Sequence, residues 1–268
     1  MFPGADAPRS EADYALVGAP LDASTSFEPG TRFGPDRVRR YAEHFDDYDR
    51  STDRRFSSLA VYDHGDVGPT ADTREYLTYL RGALGDFADE GALPMLVGGE
   101  HTVSVAGVRA VDPDVFVCLD AHLDLRESYA GDPLSHATVA RHALEVADRA
   151  VVLGARTGSE AEWERADESD VTVVDPDDVA DWEPSFAADD SVYLSVDIDA
   201  FDPAYAPGTG TKEPFGIAPR EGRRVVREVA PATDGFDVVE VNDRDDGQAA
   251  VLAAKLLRAF VYKHAASR

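Results

Sequence analysis

The sequence predicts an α/β protein, a three-layer α/β/α sandwich around a mostly parallel central sheet. Short apolar runs such as Leu93 to Val97 are near-continuous, which is how strands buried on both faces read. Segments with helical apolar spacing alternate with these runs, as βαβ units require. Acidic and imidazole side chains gather just after several of the runs, beyond the carboxyl ends of the strands, where such sheets carry their sites.

Tyr14 to Ala19 is the first strand, and Gly18 and Pro20 mark its end. The loop from Leu21 to Gly34 is long for a compact domain, and loops of that length are more often functional than idle. Pro35 opens a helix through Phe45. Leu59 to Val67 reads as a strand, and Asp72 to Glu90 as an amphipathic helix with Leu77, Leu80, Leu84 and Phe87 on one face. Leu93 to Val97 is closed by Gly98, Gly99, Glu100 and His101; a helix over Val103 to Val111 follows. The strand Phe116 to Leu119 runs into Asp120, His122 and Asp124. If the chain stays extended there, the period of two turns all three side chains the same way.

Beyond it the spacing predicts a helix over Thr138 to Ala147 and a strand over Ala150 to Gly154. A helix over Glu160 to Ala166 and a strand over Val171 to Val174 come next. Ser191 to Val196 is a further buried strand ending in Asp197, Ile198 and Asp199. An irregular Pro- and Gly-rich loop spans Ala200 to Pro219. A helix over Glu221 to Val229, a strand over Phe236 to Val241 with Glu240 near its end, and a helix over Gln248 to His264 complete the chain. No repeat or linker divides residues 1–268, so a single domain is expected.

The formal net charge is −26, from 52 acidic and 26 basic residues, and this repels phosphate at long range. Nucleic acid and anionic membranes are therefore excluded as partners. No apolar run has the length of a signal peptide or a membrane span, so a soluble cytoplasmic protein is expected. Cys118, the single cysteine, lies in an apolar strand and is expected to pack as a small hydrophobe. An acidic surface of this kind suits a high-salt cytoplasm, where about 1 M salt shortens the Debye length to about 3 Å. Thermal stability is then expected to rise with KCl concentration; a maximum in dilute buffer would refute that reading.

His101, Asp120, His122, Asp124, Asp197 and Asp199 form a candidate metal-ligand set of four carboxylates and two imidazoles. That is too many for one catalytic zinc ion, which keeps about three protein ligands. The set suits two ions about 3.5 to 4 Å apart with a water between them, and its carboxylate content favours Mn²⁺. Two cations acidify such a water, so the reaction class expected is hydrolysis.

The stretches V-G-G-E-H (97–101), D-A-H-L-D (120–124), S-H-A-T (135–138), S-V-D-I-D-A-F-D-P-A-Y-A-P-G-T-G-T (195–211) and V-E-V-N (239–242) resemble the ureohydrolases, the family of arginase and agmatinase. With residues 18–35 the resemblance covers nearly the whole chain, and residues 125–138 are most similar to the agmatinase branch. It implies an arginase-like fold and two Mn²⁺ per subunit. One ion would be held by His101, Asp120, Asp124 and Asp197, the other by Asp120, His122, Asp197 and Asp199. It also implies catalytic roles for Asp124, for His136 in proton transfer, and for Glu240, which matches the carboxylate that holds the substrate guanidinium.

The expected substrate is agmatine, cleaved to putrescine and urea in polyamine biosynthesis, with Glu127 and Asp132 available to the cationic tail. After G-A-R (154–156) the chain reads T-G-S, where the arginase branch places an acidic residue, and this weakens arginase. Aminopropylagmatine, guanidinobutyrate, arginine and formiminoglutamate remain alternatives, as does a non-catalytic metal-binding relative. A single-zinc deacetylase is disfavoured, because His101, Asp124 and Asp199 complete a second metal site. The family also implies a homo-oligomer, a trimer or a hexamer.

Overall fold

The computed structural model describes residues 1–268. In chain order the elements are β1 (Tyr14–Ala19), α1 (Gly34–Ala42), β2 (Tyr48–Asp49), β3 (Arg54–Arg55), β4 (Val61–Asp66), α2 (Thr73–Asp89), β5 (Leu93–Gly98), α3 (Ser104–Val111) and β6 (Val115–Leu119). Then follow α4 (Val139–Ala143), β7 (Arg149–Leu153), α5 (Glu160–Ala166), β8 (Val171–Val174), β9 (Val192–Asp197), α6 (Pro219–Val229), β10 (Thr233–Val239) and α7 (Gln248–Ser267). Eight strands form one sheet in the order β4-β1-β5-β10-β9-β6-β7-β8. Every pairing in it is parallel, so the mostly parallel sheet expected is wholly so.

Period-two alternation sends neighbouring strand residues into two separate cores. Tyr14 and Leu16 face one side with α1, α6 and α7, whereas Ala15 and Val17 face the other with α2 and α3. These are the three layers. Asp72 starts α2 by accepting the Glu75 N–H at 2.9 Å, and the expected stripe of Leu77, Leu80, Leu84 and Phe87 is buried.

Four local expectations change. The helix expected to run through Phe45 ends at Ala42, where the chain passes into turns closed by Glu43 N–H to Arg40 O and Phe45 N–H to Ala42 O. The β2–β3 hairpin, an antiparallel pair, was not anticipated. The helix expected to reach Ala147 ends at Ala143, because the chain is drawn back to the sheet, where Asp148 N–H donates to Asp114 O at 3.0 Å. The last strand stops at Val239, since Glu240 takes a left-handed backbone with φ 61°.

A buried arginine joins α1 to the edge of the sheet. Arg39 Nε and Nη2 each donate to Asp63 at 2.9 Å, and Nη1 donates to Asp66. Asp63 also accepts the N–H groups of Phe2 at 2.5 Å and Gly65 at 2.9 Å. Burial alone would raise the Asp63 pKa, but Arg39 and these N–H groups hold it below the ordinary carboxylate value.

His264, one of the histidines given no functional role, lies buried on α7 with Nδ1 2.8 Å from the Tyr14 hydroxyl. Burial, helped by Arg268 and opposed by Asp234 and Asp13, lowers its pKa to about 4. A lowered histidine is neutral in the folded protein while the unfolded chain protonates near 6.5. Its contribution is present above pH 6.5 and is lost as pH falls toward 4, by about 3 kcal/mol. Denaturation of His264→Gln across that window should show a flatter pH dependence than the parent; equal slopes would remove His264 as the cause.

Candidate active site

The ends of four adjacent strands, β5, β10, β9 and β6, carry every candidate ligand. His101 follows β5, Glu240 follows β10, Asp197 closes β9 with Asp199 just beyond it, and Asp120 to Asp124 follow β6. The turn after β5 depends on Gly99, whose added Cβ would lie 1.9 Å from the Leu21 carbonyl oxygen. The convergence of Asp120, His122 and Asp124 does not come from an extended strand throughout. His122 stays extended, bridging to Thr157, but Asp124 turns into the left-handed region with φ 52°. For a non-glycine residue that backbone costs about 1–2 kcal/mol.

His101 Nδ1 lies 3.0 Å from Asp120 Oδ2, 3.0 Å from Asp124 Oδ2 and 3.5 Å from Asp197 Oδ2. It is buried and makes no hydrogen bond of acceptable geometry. His122 Nδ1 lies 3.0 Å from Asp199 Oδ2 and 3.5 Å from Asp120 Oδ1. Asp120 thus divides its two oxygens between two imidazoles, as a carboxylate bridging two centres does.

The far side of His101 fixes which ring nitrogen is free. Ser195 Oγ donates to Asp237 Oδ1 at 2.6 Å, so its lone pair takes His101 Nε2 at 3.1 Å as a donor. The proton sits on Nε2, and Nδ1 keeps a lone pair aimed at three carboxylate oxygens. Lone pairs facing one another in a buried site call for a cation between them, so this donor set fits divalent metal. Cys118 Sγ lies 3.8 Å from His101 Nε2, but burial pushes its thiol up to about 12 and that nitrogen is already committed to Ser195. It packs as a small buried side chain.

The electrostatics agree. Burial pulls the His122 pKa down, yet Asp199 and Asp120 raise it to about 12. Burial and the Asp120 charge push Asp124 up to about 7. Burial raises Glu240 well above the ordinary carboxylate value, although its Oε1 accepts the His101 N–H at 2.8 Å. So many buried carboxylates demand positive charge.

The cluster floors a pocket of about 280 Å³. Glu240 and His136 line it as expected. Burial lowers the His136 pKa, and its ring packs edge-on to Tyr129 at 5.2 Å between centroids. Glu127 does not line the pocket. Its side chain is 85% exposed and 3.3 Å from Arg141, because the chain after Asp124 turns it to solvent. Glu127→Ala should therefore change kcat/KM by less than about twofold, in line with the small worth of surface pairs; a tenfold loss would return it to the site.

Glu162 lines the pocket where Glu127 does not. It is 4% exposed, sits in the first turn of α5, accepts from Ser159 N and Ser159 Oγ, and is ion-paired with Arg126, whose Nε lies 3.1 Å away. Gly210 and Thr211, which also line the pocket, belong to a loop held by Arg156. All five N–H donors of that guanidinium reach carbonyls, those of Gly154, Asp199, Ala200, Glu213 and Pro214, at 2.8 to 3.2 Å. Sequence reasoning missed Glu162, Ser195 and Asp237. The first was legible as the capping partner of Ser159, three residues before it.

A parallel α/β sheet with paired carboxylate and imidazole clusters at four adjacent strand ends defines a class of protein built around a candidate divalent-metal site. Residues 12–262 match the arginase family. The N(1)-aminopropylagmatine ureohydrolase of Thermococcus kodakarensis is 36% identical over 256 residues, 92% of this chain and 89% of that protein. The agmatinase of Bacillus subtilis is 37% identical over 265 residues, 92% of this chain and 90% of that protein. The agmatine ureohydrolase structure of Thermoplasma volcanium superposes with a TM-score of 0.93 at 32% identity, covering 98% of this chain and 93% of that one. The chain belongs to the arginase family, as an agmatinase-like ureohydrolase, a hydrolase acting on guanidino compounds.

Proposed function

We propose that this protein is a binuclear manganese enzyme that cleaves agmatine to putrescine and urea. The observation that carries the two-metal reading is the division of the Asp120 oxygens between His101 and His122. His101, Asp120, Asp124 and Asp197 would hold one Mn²⁺, and Asp120, His122, Asp197 and Asp199 the other. Bound there, the pair supplies Lewis acidity that lowers the pKa of a water to near neutrality.

The remaining work falls to the protein. Glu240 would take the planar guanidinium through paired N–H bonds and present its carbon to the floor of the pocket. Asp124 would stabilise the tetrahedral state, and His136 would carry a proton to the departing nitrogen. A C–O bond forms from water and the C–N bond to the alkyl nitrogen breaks, so urea and an alkylammonium result. The likeness to the Thermococcus kodakarensis protein favours one second reading, N(1)-aminopropylagmatine as the substrate.

The test is urea release by Mn²⁺-loaded protein in molar KCl with agmatine, aminopropylagmatine, guanidinobutyrate and arginine in parallel. Preference for agmatine is expected. Preference for aminopropylagmatine would establish the second reading, and no release from any of the four would overturn both. The same proposal takes residues 1–268 as one domain acting as a cytoplasmic homo-oligomer, a trimer or a hexamer. No helix is long and apolar enough to cross a membrane.

A further inference from the structure

Beneath His136 lies a buried relay that neither the metal ligands nor the guanidinium site accounts for. The Glu100 carboxylate is fully buried. Its Oε2 accepts the N–H groups of Ala23 at 2.6 Å and Ser24 at 2.7 Å, and its Oε1 accepts the hydroxyls of Ser24 at 2.8 Å and Thr102 at 2.7 Å. Ser24 Oγ also lies 3.0 Å from the backbone N of His136, 3.0 Å from His136 Nδ1 and 3.4 Å from Thr102 Oγ1.

A hydroxyl has one proton and two lone pairs. A carboxylate oxygen 2.8 Å away cannot donate, so the Ser24 proton points to Glu100. Both lone pairs of Ser24 are then left for His136, one for its backbone N–H and one for Nδ1. A pairing of Ser24 Oγ with Nδ1 that places no proton between them would set lone pair against lone pair. The proton must therefore lie on Nδ1.

We propose that Ser24 and Glu100 are positioning residues that lock the neutral His136 imidazole in the Nδ1–H tautomer, leaving the Nε2 lone pair for the pocket. This rests on the assignment of His136 to proton transfer, and it orders that transfer. His136 first accepts a proton at Nε2 from the attacking water and then returns it from Nε2 to the leaving nitrogen; the Nδ1 proton never moves. Free neutral histidine prefers the opposite tautomer, so the protein must impose this one.

The experiment is long-range ¹H–¹⁵N correlation of ¹⁵N-histidine-labelled full-length protein, with diamagnetic Mg²⁺ in place of Mn²⁺. The His136 ring is identified by its loss in His136→Asn. In the parent protein, Nδ1 is expected to resonate as protonated and Nε2 as unprotonated. Ser24→Ala should switch the ring to Nε2–H and lower kcat about 10- to 100-fold with little change in KM, as loss of an orienting partner does elsewhere. Ser24→Thr, which keeps the hydroxyl, should restore both, and Glu100→Gln should populate both tautomers.

An Nε2–H ring in the parent, or an unchanged tautomer in Ser24→Ala, overturns the inference. With His136 assigned, the parent spectrum decides even if the Ser24 and Glu100 variants fail to fold. Absence of urea release overturns the proposed activity and leaves the tautomer to be read on its own.

Discussion

Asp124→Asn should give a folded protein whose kcat/KM on its guanidino substrate is lower by about a thousand-fold, the scale of losing one group that stabilises developing charge. Asp124 Oδ2 is one of two carboxylate oxygens 3.0 Å from the free nitrogen of His101. Asparagine keeps the shape and removes the charge, so the cation proposed there would meet a neutral oxygen in place of a carboxylate. Urea release, together with metal content by atomic absorption, measures the effect; activity within tenfold of the parent would remove Asp124 from the site. In EDTA the substitution should cost no stability. Without cations, burial and the charge of Asp120 push Asp124 up to about 7, so the neutral amide relieves both costs and the variant should melt no lower than the parent.

Asp63→Ala should cost about 3–5 kcal/mol of folding stability, the range for breaking a buried ion pair from one side. Arg39 would lose both bonds that its fork makes to Asp63 and be left with Asp66 alone, while the N–H groups of Phe2 and Gly65 would lose their acceptor. Equilibrium denaturation measures the loss. Replacing the pair together, Arg39→Met with Asp63→Leu, should recover most of it, because no buried charge is then left unpaired. A loss below about 1 kcal/mol for the single variant would mean that water enters and solvates Arg39.

The six candidate ligands were legible because each sits at a strand end, where a parallel sheet concentrates chemistry, and their types and spacing survive in one dimension. His136 and Glu240 were legible only through resemblance. Glu127 misled because closeness in sequence to Asp124 says nothing of direction once Asp124 takes a left-handed backbone. The partners that set the imidazoles were hidden for another reason. Ser24 and His136 are 112 residues apart, and Ser195 and Asp237 are 42 apart, so their roles exist only after folding. The early end of α4 belongs to the same class, since a sheet contact from Asp148 decides it.

Arg156 gives the pocket a wall whose shape is set by one planar group. A lysine has three donors on a point charge and cannot serve five carbonyls spread around a fork, so Arg156→Lys is no conservative change. While the guanidinium holds those carbonyls, the backbone carrying Gly210 and Thr211 cannot widen or narrow to suit a longer or bulkier tail. Related chains sharing this clamp could then change substrate only by exchanging side chains on a fixed frame. Redesign of the pocket should accordingly begin with Thr211, Tyr129 and Glu162 and leave the length of the loop alone.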